Sequence, residues 1–467
     1  MPKVDIIPPE ILTEIVKVLR ESYSPFKLDK TIGKLSEFIR MLILRPDRWP
    51  DFKFVSIRWG CGISRVSLSR DQHMEMLADV SFLKTAVDRL PDELYRLQNR
   101  PDGKIRGVET RQPCTTYVTD LAKAFKRLLD VGIAQTYPEL LIFILTILNP
   151  YIQKLQIKIN SSEVYDSDRR WRSQIFTVVG PLKFVSLEEL HYVAVTSRKS
   201  NPRAVIYTRL SAQLLDIFMK IPTLKKLKVD GFAFKSESLS REVTKLGSCA
   251  VESLDLMYNF EVSFVKWRIF LSVFKKLKHF SYDGNSKDMF RNGRRIDDLV
   301  TPEFLGKLMQ GIFVHRNSLE SLSLTGIRRL ISDHTHLKIS TTPGFTQFSC
   351  LKHMKMQLDL LIGWEGESVG FRLHELLPKS LETLELWSHA RLECMTLTEN
   401  LSGLKTHKKT SPGFALREVK FGYATKRFKV EETWKNDMIK DLGENGIHLV
   451  FVGLLKKDVW WVHKPKN

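Results

Sequence analysis

The chain has 467 residues, of which 43% are hydrophobic, enough for a continuous core, and its 73 Lys and Arg against 53 Asp and Glu give a formal net charge of +20. That charge favours acidic partners in general without identifying one. Five scattered cysteines (Cys61, Cys114, Cys249, Cys350 and Cys394) exclude a disulfide framework and a zinc site and point to a reducing compartment.

Residues 8–20 read as a helix: Pro9 suits its first turn, and Ile11, Ile15, Val18 and Leu19 share one face, with Leu12 beside Ile11. Pro8-Pro9 interrupts the first apolar stretch, so no secretory leader is read there. Tyr23-Ser-Pro-Phe26 breaks this helix, and a second runs from about Leu28 to Leu44 until Arg45-Pro46 stops it. Phe52 to Ile57 reads as an early repeat strand. Residues 72–98 are predicted helical, Gln98 to Pro113 form a polar loop, and 118–148 hold one or two amphipathic helices. The longest apolar run, Leu140 to Leu148, is too short for a membrane span, which takes about 20 residues.

From there one short phrase recurs: a leucine-like residue, two variable residues, a second leucine-like residue, one variable residue and a third. It begins at Ile152, Leu187, Leu224, Val251, Leu277, Leu319, Leu351, Leu381 and Leu416, at spacings of 26 to 42 residues. Such repetition predicts an α/β leucine-rich-repeat solenoid, with parallel strands on a concave face and helices outside. Helical patterns fill several gaps, at Arg209 to Lys220, Phe264 to Lys275, Glu303 to His315 and Phe371 to Leu377. Asp283-Gly-Asn-Ser and Leu404 to Gly413 carry loop signals. A last helix, about Glu431 to Leu442, and a closing strand, Gly446 to Phe451, read as a C-terminal cap. The expected division is a helical segment at 1–50 and a solenoid at 51–467 with a helical insertion at about 70–148.

Side chains alternate along a strand, so the leucine-like residues point to the core and the variable ones to the concave side. The central concave positions are Gln156, His191, Lys228, Asp255, Ser281, Ser323, Lys355, Glu385 and Lys420, with Met257 and Trp387 following on the same face. Acids and bases nearly balance there, so the basic excess is expected on helices and loops. An exposed Trp387 suits a binding anchor. The lysine pairs at Lys225-Lys226, Lys275-Lys276 and Lys408-Lys409 are dispersed and accompany no base-stacking aromatic pair, which favours a solvated surface over nucleic-acid binding. His334-Thr-His336 beside Asp333 reads as a polar loop, and neither a metal nor a cofactor is expected. The chain contains no zinc-protease motif, phosphate-binding glycine loop, nucleophile elbow or kinase set, and no catalytic role is expected.

The stretch Ile7-Pro-Pro-Glu-Ile-Leu-Thr-Glu-Ile-Val-Lys-Val-Leu19, together with Phe38 to Trp49 and Leu141 to Ile157, resembles the fungal F-box proteins with irregular leucine-rich repeats. The repeat resemblance covers about two thirds of the chain. The first half of the F-box pattern is matched, and the second half is diverged. The resemblance implies that Pro9, Ile11, Leu12, Ile15 and Leu19 dock on the Skp adaptor of a cullin–RING ubiquitin ligase. It also implies that the concave residues hold a protein substrate, in the cytoplasm and/or nucleus. The alternative reading of a helix at 8–20 is a solenoid cap. A leucine-rich scaffold without ligase coupling and a basic polyanion-binding protein are therefore the alternatives.

Overall fold

The computed structural model describes residues 26–28, 53–59, 152–161, 186–196, 218–230, 246–257, 267–283, 302–325, 345–358, 361, 372–388, 394–423 and 431–452. The expected helices at 8–20, 72–98 and 118–148, with Pro9, Ile11, Leu12, Ile15 and Leu19, lie outside the described residues, as does the Asp333 to His336 loop. The chain forms two compact units, residues 1–201 with 206–208 and residues 202–205 with 209–467.

In the first unit, β1 (Phe26–Leu28), β2 (Phe54–Trp59), β3 (Lys154–Ser161) and β4 (Glu189–Thr196) pair in parallel and in sequence order. The second unit continues the pattern with β5 (Lys226–Asp230), β6 (Ser253–Met257), β7 (His279–Asp283) and β8 (Ser321–Thr325). It ends with β9 (His353–Gln357), β10 (Thr383–Ser388), β11 (Glu418–Tyr423) and β12 (His448–Val452). Each of the nine repeated phrases becomes one strand, beginning at its third residue. β2 and β12 match the expected early and closing strands. β1 was not expected: Phe26–Leu28 falls where the sequence predicts a break and then a helix.

Parallel neighbours require crossover connections of a dozen residues or more, and the spacing between phrases supplies them. The described crossover helices are α1 (Trp267–Ser272), α2 (Pro302–Phe313), α3 (Leu373–Leu376), α4 (Cys394–Thr410) and α5 (Glu432–Gly443). From β6 onward most of the described crossovers carry a helix, giving an α/β, solenoid-like architecture. α4 corrects one expectation: the stretch from Leu404 carries the signals of a loop, yet it stays helical to Thr410. Leu397, Leu401 and Leu404 are buried at helical spacing and hold it down, and Pro412-Gly413, with Gly413 at φ +106°, turns the chain away. Lys408 Nζ then donates to the carbonyls of Phe414 and Leu416 at 2.6 and 3.0 Å, tying the helix end to the approach to β11.

The core follows from the alternation. In the second unit the strands from β5 to β8 show buried residues at their second and fourth positions and partly exposed ones between. Leu190, Leu227, Leu254, Leu322 and Leu384 are each at most 1% exposed, as the phrase requires. From α1, Trp267, Phe270 and Leu271 complete the layer, with Trp267 edge-on to Tyr282 at 5.8 Å. Hydroxyls bind successive repeats together: Ser318 Oγ donates to the Leu277 carbonyl and Ser380 Oγ to the Leu351 carbonyl, both at 2.9 Å. Buried His315 places Nε2 2.8 Å from the Leu271 carbonyl near the end of α1, and burial pulls its pKa below the usual histidine value. Burial likewise pushes the Cys249 thiol up to about 12, which makes it an inert core side chain.

α1 and α2 approach closely at one glycine. A Cβ on Gly311 would stand 2.9 Å from Leu271 Cδ1 and 3.0 Å from the Trp267 carbonyl oxygen, whereas a Cβ on Gly306, one and a half turns earlier, meets nothing within 4 Å. Both glycines cost helix stability through backbone entropy. Gly306→Ala is therefore expected to stabilise the protein by up to about 1 kcal/mol. Gly311→Ala is expected to destabilise it, because the Trp267 carbonyl is backbone and cannot swing aside. Urea unfolding of the two variants checks this, and a stability change of the same sign in both would contradict the packing described.

Candidate functional site

In the second unit the first, third and fifth residues of the strands from β5 to β8 share the face opposite the core. Parallel register then sets equivalent residues of successive repeats side by side, about 4.8 Å apart. In the second unit the middle row runs Lys228, Asp255, Ser281, Ser323, Lys355, Glu385 and Lys420, all seven in continuous register. The fifth row runs Asp230, Met257 and Asp283 on one side and Gln357, Trp387 and Gly422 on the other. His191 lies in the first unit, on β4, with Nδ1 2.8 Å from Gln156 Nε2 of the neighbouring strand. The residues singled out from the sequence thus form one row of seven with Met257 and Trp387 beside it, and His191 belongs to the other unit. Met257 and Trp387 stand four strands apart, about 19 Å at that spacing, too far to act as one anchor.

This face is half-buried rather than fully exposed, and many of its charges answer one another across strands. Lys228 Nζ lies 3.4 Å from Asp255 and Lys355 Nζ 2.7 Å from Glu385, while Lys420 Nζ lies 3.0 Å from Glu418 of its own strand. Lys154 and Glu189 pair across strands at 3.1 Å in the first unit. Exposed pairs of this kind contribute at most about 1 kcal/mol each. Their larger effect is to leave the face with mixed potential, as the balance of acids and bases in the sequence suggests.

Around Trp387 the arrangement is tightest. Its Nε1 donates to Glu385 Oε1 at 2.8 Å, the same oxygen that Lys355 approaches. The Lys355 ammonium also lies 5.4 Å from the indole centroid, within cation–π range. Below the ring lies Gly422, paired with Trp387 in the β10–β11 ladder; a Cβ there would fall 2.6 Å from indole Cε3. A missing side chain on β11 therefore lets the indole lie against the sheet. On the other flank stands Gln357, only 4% exposed, whose Oε1 accepts no hydrogen bond among the described residues. Sequence reasoning passed over both Gln357 and Gly422. The signal was available, since both occupy the repeat position that singled out Met257 and Trp387, and a glycine among side chains marks close approach.

Among the described residues no group of three or more His, Cys, Asp or Glu is placed to hold a metal ion, and no helix is long and apolar enough to cross a membrane. Chemically, the site offers a rigid aromatic surface and an adjacent ion pair, which suit non-covalent recognition.

If Gly422 sets the ring position, Gly422→Ala is expected to displace the Trp387 indole without unfolding the chain. Fluorine NMR of 5-fluorotryptophan-labelled protein reads this directly. Of the nine tryptophan resonances, the one lost in Trp387→Phe should shift, and the other eight should hold their positions. A Gly422→Ala spectrum identical to the wild type would show that the ring does not depend on that glycine.

Comparison with protein-family models finds no match to this chain, and comparison with curated proteins finds none either.

Proposed function

We propose that this chain is a leucine-rich-repeat protein whose open sheet face binds a protein partner and performs no chemistry, in the manner of the substrate-recognition subunit of an SCF-type ubiquitin ligase. The observation that carries the binding role is the Trp387 cluster. The indole is held by Glu385 on its edge, Lys355 near its face and the gap at Gly422 beneath it. An aromatic side chain fixed before binding loses little rotamer entropy on contact, which is the property of interface hot spots. Lys228, Asp255, Ser281, Ser323 and Lys420 supply the polar surface along the same row.

Ligase coupling rests on the resemblance of Ile7 to Leu19 to the first half of an F-box. In this reading Pro9, Ile11, Leu12, Ile15 and Leu19 dock on the Skp adaptor, and the repeats raise the local concentration of a substrate beside the ligase. The scattered cysteines suit such a role in the cytoplasm and/or nucleus.

Affinity purification with quantitative mass spectrometry separates the two halves of the proposal. Skp and cullin are expected with the wild-type chain and lost with Leu12→Asp or Ile15→Asp. Trp387→Ala is expected to retain both while weakening substrate recovery by about 30-fold, the effect of a hot spot of about 2 kcal/mol. If Skp and cullin are missing from the wild-type purification, the ligase coupling is wrong and a scaffold remains. Recovery of every partner in full by Trp387→Ala would remove the open face from the account.

A further inference from the structure

Among the described residues of the second unit, acids and bases nearly balance along the middle row of the open face. In the second unit a second row of charges lies on the rim where the chain approaches each strand. The residues just before the strands alternate in charge along this rim: Lys225, Glu252, Lys278, Glu320, Lys352, Glu382 and Arg417. Each is hydrogen-bonded through its backbone to the one before, with N···O distances of 2.7 to 2.9 Å. Through most of the row, acid answers base. At β5 to β7 two further lysines, Lys275 and Lys276, stand beside it. There Glu252 is the one acid of the row, and its carboxylate is held by Lys278 at 2.7 Å. Lys225 and Lys276 act on the same carboxylate, and together these lysines hold the Glu252 carboxyl below its ordinary value, the hydrogen bond from Lys278 being the largest cause. Lys225, Lys275 and Lys276 are all exposed.

An apolar residue stands in the same patch. Leu246 is 74% exposed, the most exposed large hydrophobic among the described residues. Its position is fixed by the chain around it. Gly247, at φ +67°, donates its N–H to the Ser272 carbonyl, Cys249 N–H bonds the Val273 carbonyl, and Lys275 N–H bonds the Cys249 carbonyl. Leu246 thus directly precedes a segment paired with the turn that carries Lys275 and Lys276. A leucine so exposed beside an ordered turn among lysines costs solvation.

We propose that this rim, formed by Leu246, Lys225, Lys275 and Lys276 around the Glu252–Lys278 pair, docks an acidic segment of a partner protein that carries an apolar side chain. Charge complementarity selects the acid, and Leu246 selects the apolar residue. Glu252 argues against a nucleic acid, whose uniform phosphate backbone would meet that carboxylate, whereas a peptide can place its acids opposite the lysines and a neutral residue opposite Glu252. No aromatic side chain is among the exposed large hydrophobics of the described residues, so the patch also lacks a stacking platform for bases. A single leucine is a shallow anchor for a bilayer, where stable attachment takes two signals. The rim uses none of the open-face residues, so its failure and that of the Trp387 site are separable.

Fluorescence anisotropy with the full-length chain tests the proposal. The probes are a labelled ten-residue Glu/Asp peptide with one central leucine, the same peptide with serine in its place, a single-stranded DNA oligonucleotide, and vesicles of phosphatidylcholine with phosphatidylserine. The leucine peptide is expected to bind several-fold tighter than the serine peptide, and Leu246→Ser is expected to erase that preference. Lys275→Glu with Lys276→Glu is expected to weaken both peptides by about tenfold or more, with weakening also on raising salt. The control pair Lys409→Glu with Lys440→Glu makes the same charge change at exposed positions elsewhere and should leave binding within about twofold of the wild type. Equal losses in the two charge pairs, indifference to the peptide leucine, no peptide binding, or tighter binding of the DNA or the vesicles at the same salt would each overturn the proposal.

Discussion

Everything described here depends on one constraint: parallel strands whose core side is closed and whose register cannot slip. In the second unit each strand from β5 to β11 bonds its neighbours through the backbone and buries its leucine-like positions almost completely, Leu227 and Leu322 at 1% exposure and Leu384 at 0%. A shift of one residue would carry the whole apolar set to the open face and bring lysines and acids into the core, at several kcal/mol per buried charge. The crossover segments vary in length from repeat to repeat because they bear no such penalty. The strands do bear it, and they stay in phase across inserts of very different size.

That phase turns a repeated phrase into a surface. Lys228 meets Asp255 and Lys355 meets Glu385 because equivalent positions fall side by side, although the partners are about 30 residues apart in sequence. The same geometry sets Trp387 over Gly422. Two different kinds of surface result. On the open face of the second unit charges meet their opposites and the aromatic side chain is fixed in place. On the rim at β5 to β7 exposed Lys275 and Lys276 and an exposed leucine are added to the alternating row. The first suits shape-led recognition and the second charge-led recognition, and the two need not share a partner.

Much of this was legible in the sequence, for a physical reason. Burial on one side only leaves a period-two imprint, so Leu224, Leu227 and Val229 announce a strand, and the face of Lys228 follows from theirs. β1 is three residues long and leaves no comparable imprint. The extent of α4 was hidden because Thr406 to Ser411 look like a loop by polarity, while Leu397, Leu401 and Leu404 upstream hold the helix against the core. Gln357 and Gly422 were hidden differently. Neither has a telling neighbour in sequence, and their meaning appears only when β9, β10 and β11 stand in register around Trp387. The rim of alternating charge belongs to the same class, since its residues come from seven separate repeats.

The most direct test of the register is a cysteine pair on adjacent strands. Ser281 and Ser323 are partners in the β7–β8 ladder, at a spacing that a disulfide can bridge. In a Ser281→Cys, Ser323→Cys variant, mild oxidation followed by non-reducing peptide mapping should recover a linked 281–323 peptide in high yield, with Ser281→Cys, Leu322→Cys giving none because residue 322 faces the core. A link through position 322, or none through 323, would contradict the register and with it both proposed surfaces.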